Sequence, residues 1–168
     1  MKKGLLVLAA TAIAVSLALP VIAASGNKYS DTTASEACGN DSTVTYAGPL
    51  KLWPPNHKYV PFSVTITDDS GDNVMIATEV VHEEYAEDGS EMNGAGNTTD
   101  DASPAADEAS GSGSATTNHE VRSERSGRGD GRTYTVAYEA SADNGLTECM
   151  GTFEILVPHD MRGGADWK

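Results

Sequence analysis

The stretch "DGRTYTVAYEA", Asp130 to Ala140, decides the fold. Tyr134, Val136, Tyr138 and Ala140 fall on every second position, with Thr135, Ala137 and Glu139 between them. Period two is the signature of a strand with one face buried. Asp130 stands four residues before Tyr134, and Val136 two after it. That spacing predicts a tyrosine corner, in which a Tyr hydroxyl bonds back to the backbone at the edge of a β-sandwich. Asp130 and Tyr134 are therefore read as structural residues.

The same alternation recurs on either side. From Lys58 to Thr67, Val60, Phe62, Val64 and Ile66 share one face, and the turn "DDSGDN" leads to a return strand at Val74 to Val81. "LTECMGTFEILVP", Leu146 to Pro158, carries Cys149, Gly151, Phe153, Ile155 and Val157 on its inward side. A short strand is expected over Thr43 to Tyr46, ended by Gly48-Pro49. No helical periodicity appears beyond the N-terminal apolar run. About six or seven short strands separated by turns predict an all-β, immunoglobulin-like antiparallel sandwich over residues 43–160.

The N-terminus has its own logic. Lys2 and Lys3 precede an apolar core from Gly4 to Leu19, and small residues follow. This predicts a secretory signal peptide, residues 1–24, cut after Ala23 or Ala24. The apolar core is shorter than the ~20 residues a membrane span needs, so no span is expected after cleavage. The protein is expected to be secreted, extracellular or at the cell surface. Residues 25–42 are polar and read as an N-terminal arm, and residues 161–168 as a polar tail.

The chain is strongly acidic, with a formal charge of −14 that grows by two units when Lys2 and Lys3 leave with the leader. Such a charge disfavours nucleic acid and anionic membranes as partners. The two cysteines, Cys38 and Cys149, are the only thiols in an exported chain, which predicts a disulfide between them.

"LWPPNHKYVPF", Leu52 to Phe62, leads into the first long strand. Pro54 keeps Trp53 out of the α region, and Pro55 does the same to Pro54. The peptide is stiff and extended. Trp53 is placed to cap the sandwich end, and Asn56 and His57 to bond exposed backbone at the turn. A functional alternative makes Trp53 and Tyr59 an aromatic platform for a sugar or peptide. "RGD", Arg128 to Asp130, falls inside the corner turn and reads as a tight bend rather than a receptor motif.

Residues 83–118 differ from the rest. Large apolar residues are limited to Tyr85 and Met92, and no Lys or Arg occurs between Tyr59 and Val121. "SGSGSATTN", Ser110 to Asn118, has linker composition. The expectation is a long, mobile acidic loop. Its carboxylates are the candidate metal ligands: Glu83, Glu84, Asp88, Glu91, Asp100 and Asp101, for Ca2+, which takes six to eight oxygens. No cofactor other than that ion is expected. "HEEYA", His82 to Ala86, is not the zinc-protease pattern, because Ala86 stands where the second His belongs. No nucleophile elbow or phosphate loop is present.

Together, "LWPPNHK", "ERSGRGDGRTYTV" and "VPHD" resemble a family of exported bacterial immunoglobulin-like modules, near the hyalin-repeat and cadherin-like domains of large surface proteins. The resemblance covers roughly Leu50 to Asp160. It implies a non-catalytic structural or adhesive role and an extracellular protein or glycan partner. The long acidic segment after Val81 and the single copy depart from that pattern. The alternatives are Ca2+ or polymer binding through the acidic segment, and a small hydrolase using Glu83, Glu84 or Asp88.

Overall fold

The computed structural model describes residues 31–86, 101–125 and 129–159. Nine strands occur among them: β1 (Asp31–Cys38), β2 (Ser42–Pro49), β3 (Tyr59–Asp68), β4 (Asn73–Ala86), β5 (Ala102–Ser103), β6 (Ala106–Ser112), β7 (Ser114–Arg122), β8 (Gly129–Ala142) and β9 (Thr147–Pro158). They form two antiparallel sheets, β1-β2-β3-β7-β5 and β6-β4-β8-β9. Among the described residues, no helix is long and apolar enough to cross a membrane.

The expected all-β sandwich is the observed architecture. The order β2-β3-β7-β5 against β4-β8-β9 is the ABED-on-CFG arrangement of immunoglobulin constant-type domains. β1 is added outside the first sheet and β6 outside the second. The alternation works as read in the long strands. Val60, Phe62, Val64 and Ile66 from β3 meet Tyr134, Val136 and Tyr138 from β8 and Phe153, Ile155 and Val157 from β9, all buried. A line of rings crosses this core. His119 stacks on Phe62 at 5.2 Å, Phe62 on Tyr46 at 5.5 Å, and Phe153 lies 5.5 Å from both Tyr46 and Tyr138.

Two expectations need correction. The N-terminal arm is a strand where it is described, because β1 pairs along its whole length with β2, from Asp31 opposite Pro49 to Cys38 opposite Ser42. The mobile acidic loop is largely sheet in its second half. β6 pairs with β4, β7 with β3, and β5 with β7. The linker-like "SGSGS" holds a tight β6–β7 connection. Gly113 takes φ 73° there, and a Cβ on Gly111 would sit 2.2 Å from the Ser114 carbonyl oxygen. β7 alternates strictly, but Ala115, Thr117, His119 and Val121 carry its buried face. Small and polar residues hid the period. Residues 87–100 lie outside the described residues.

His119 shows how a polar residue is accommodated in that core. Its Nδ1 lies 2.7 Å from the Pro104 carbonyl oxygen and its Nε2 2.6 Å from the Thr78 hydroxyl. A carbonyl only accepts, so Nδ1–H donates to Pro104, which ties β7 to the β5–β6 link. In the neutral ring Nε2 then accepts from Thr78, which joins the two sheets.

The β3–β4 turn is organised by Asp68. Its carboxylate accepts from the Ser42 hydroxyl at 2.6 Å, from the Ser70 hydroxyl, and from the Asp72 N–H at 3.1 Å. These bonds, Ser42 first, hold its pKa down from 3.8 to about 2. A depressed carboxyl pKa contributes stability above the unfolded value, and that contribution is lost as pH falls through the folded value. Between pH 4 and pH 2 the domain should therefore lose stability with each step of acid. Ser42→Ala should move the acid-unfolding midpoint upward, followed by tryptophan fluorescence. An unchanged midpoint would mean that solvent can replace the Ser42 hydroxyl.

Candidate functional site at the loop end of the sandwich

The three motifs singled out in the sequence converge on one end of the fold. After β2 the chain leaves the first sheet. Lys51 makes a parallel bridge to Leu156, with Leu52 N–H donating to the Leu156 carbonyl at 2.7 Å and Leu156 N–H to that of Leu50 at 2.9 Å. Leu52, rather than Trp53, is driven fully into the core, and Trp53 is half-buried. The stiff Pro54-Pro55 segment then returns the chain to β3.

Ser123 locks that return. Its hydroxyl donates to the Pro54 carbonyl at 2.9 Å, its N–H to the Lys58 carbonyl at 2.8 Å, and its carbonyl accepts from the His57 N–H at 2.9 Å. Asn56 accepts from the Lys58 N–H at 3.1 Å, as its turn position predicted. The His57 ring turns instead to Glu124, with Nδ1 3.4 Å from its carboxylate, and His57 itself holds φ 61°. Arg125 donates to the Pro158 carbonyl at 3.2 Å. The segment Pro54 to Lys58, the residues Ser123 to Arg125 and Pro158 are thus parts of one interlocked structure.

Beneath it lies a buried ion cluster. Arg132 donates to Asp101 at 3.0 Å and to the Tyr134 hydroxyl at 3.0 Å. Arg122 Nε lies 3.6 Å from Glu124 and 3.8 Å from Asp101, and its guanidinium stacks over Tyr59 at 4.4 Å. His82 approaches Asp101 at 3.7 Å from the partly exposed rim. Arg132, Asp101 and Glu124 are all buried. The Tyr134 hydroxyl donates to the Arg122 carbonyl at 2.7 Å, twelve residues upstream at the end of β7, rather than to backbone near Asp130. Burial pushes its pKa up to about 12, against the pull of Arg132. Burial alone would lower the pKa of Arg132, but Tyr134 and Asp101 outweigh it and the net shift is upward.

Among the described residues, the two guanidiniums face the two buried carboxylates. Asp101, read as a Ca2+ ligand on an open loop, is instead committed to Arg132. The buried position explains the correction, because an unpaired carboxylate there would be costly. Glu83 and Glu84 lie on β4, but their side chains, and all of Asp88, Glu91 and Asp100, are outside the described residues, as is the side chain of Asp130. Among the described residues, no group of three His, Cys, Asp or Glu is arranged to hold a metal ion.

The disulfide between Cys38 and Cys149 is present. It joins β1 to β9, each an edge strand, in opposite sheets. Beside it Glu36 accepts from the Tyr138 hydroxyl at 2.5 Å, and Gly151 leaves the room, since a Cβ there would meet both groups at 2.6 Å.

Fold and site together define a disulfide-closed, immunoglobulin-like sandwich with a salt-bridged end. No protein-family model matches the chain, and no curated protein matches it either.

Proposed function

We propose that the chain is a non-catalytic, exported structural or adhesive module of the extracellular space or cell surface. The disulfide carries this reading. It closes a separation of 111 residues and ties together the edges of two sheets, a bond suited to an oxidising compartment. The basic n-region and apolar core at the N-terminus support the same compartment. The loop end supports a structural role, because its buried carboxylates lie against arginines. The high acidic charge favours neutral or cationic surroundings over nucleic acid.

Expression of the full chain in a bacterial host, followed by fractionation and thiol alkylation, tests the reading. The protein should leave the cytoplasm with its leader removed and with both thiols protected. A cytoplasmic protein of full length with two alkylated cysteines would overturn it.

A further inference from the structure

The free edge of β9 is a prepared surface. Leu156 exchanges backbone bonds with Leu50 and Leu52 across that edge. Backbone direction alternates along a strand, and β9 pairs with β8 without a register break. Glu154, Thr152, Met150 and Glu148 therefore aim their N–H and C=O groups at the same edge. No strand among the described residues pairs with them there. Their side chains are exposed on the outer face of the sheet, Met150 at 77 %. Leu146, just before the strand, is 89 % exposed. Of the other edge strands, β5 has two residues, β6 passes through Gly113 straight into β7, and β1 has eight residues.

We infer that this edge binds an extended segment of another protein by strand addition. The Leu50–Leu52 segment already shows that the edge accepts a strand. Charge identifies the occupant. A symmetric antiparallel pairing of two β9 strands about Gly151 would set Glu148 opposite Glu154 twice, and like charges directly opposite are destabilising. The overall charge of −14 adds to that repulsion. The occupant is instead a segment with basic residues facing Glu148 and Glu154 and an apolar residue beside Met150. Main-chain bonds supply affinity in such additions, and alternate side chains supply specificity. The inference rests on the adhesive reading only for the partner being extracellular.

The test uses the purified, oxidised protein and the synthetic heptapeptide Lys-Thr-Val-Thr-Val-Thr-Lys, which sets a valine beside Met150 when its lysines face Glu148 and Glu154. Amide shifts should concentrate at Thr147 to Ile155. A peptide N-methylated on alternate amides should bind about tenfold more weakly, because it has lost backbone donors. E148K/E154K should weaken the lysine peptide to a similar extent and favour one ending in glutamate. Equal binding of the N-methylated peptide, shifts elsewhere, or no shifts would overturn strand addition. Dimerisation through β9 in sedimentation would overturn the choice of occupant. A cytoplasmic location in the fractionation experiment would defeat the adhesive reading alone, leaving these peptide results to stand.

Discussion

Asp101→Asn should destabilise the domain by about 3–5 kcal/mol, the cost of leaving one member of a buried ion pair behind. Arg132, whose side chain is fully buried, loses the charge of the carboxylate that lies 3.0 Å from it. A domain of this size has roughly 5–15 kcal/mol in total, so the variant should stand near the limit of folding at 25 °C. Arg132→Met in the same chain as Asp101→Leu should recover most of the loss, because both charges leave together. Tyr134→Phe should cost less, about 1–3 kcal/mol, since it removes the acceptor of Arg132 and the donor to the Arg122 carbonyl without removing a charge. Urea denaturation at constant slope measures all three. A cost below about 1 kcal/mol for Asp101→Asn would mean that water reaches the pair and that the cluster does not hold the loop end.

How much of this was legible can be judged residue by residue. The strands built from Val, Ile, Phe and Tyr were readable, because β-branched and aromatic side chains announce period two. β7 kept the same period with Ala115, Thr117 and His119, which a count of large apolar residues ignores. β6 alternates with Asp107, Ala109 and Gly111 half-buried, and β1 turns Ala34 and Cys38 inward. None of these is a large apolar residue, so their period carries no strong hydrophobic signal. Gly151 beside Glu36 is likewise small on β9.

The ion cluster was only partly visible. Its members come from distant parts of the chain, and spacing cannot pair Asp101 with Arg132. One signal was available. Arg132 has the same parity as Tyr134, Val136 and Tyr138, so the alternation that decided the fold also placed a guanidinium on the core face. A buried Arg requires a carboxylate, and the acidic segment was the place to look for one. Reading that segment as solvated chain concealed the partner. The disulfide was easier, since two cysteines have one pairing.

Removing that disulfide is expected to have an effect of similar size for a different reason. Cys38→Ala with Cys149→Ala should lower stability by about 4–5 kcal/mol, the chain-entropy value for a closed loop of ~100 residues. The effect acts chiefly on the unfolded chain, which becomes free to expand. The denaturant slope should therefore rise as the midpoint falls, unlike the constant slope expected for Asp101→Asn. The native state should change locally. Among the described strands β1 pairs with β2 alone, and Cys38–Cys149 and the Glu36–Tyr138 bond tie it to the second sheet. Without the disulfide, the amides of Ala34 to Cys38 should exchange faster than those of β3 and β8, and Glu36→Gln should speed them further. A loss below about 1 kcal/mol with unchanged exchange in β1 would show that sheet pairing alone holds the strand. Equal loss of protection across β1, β3 and β8 would show that the edge strand and the core unfold as one unit.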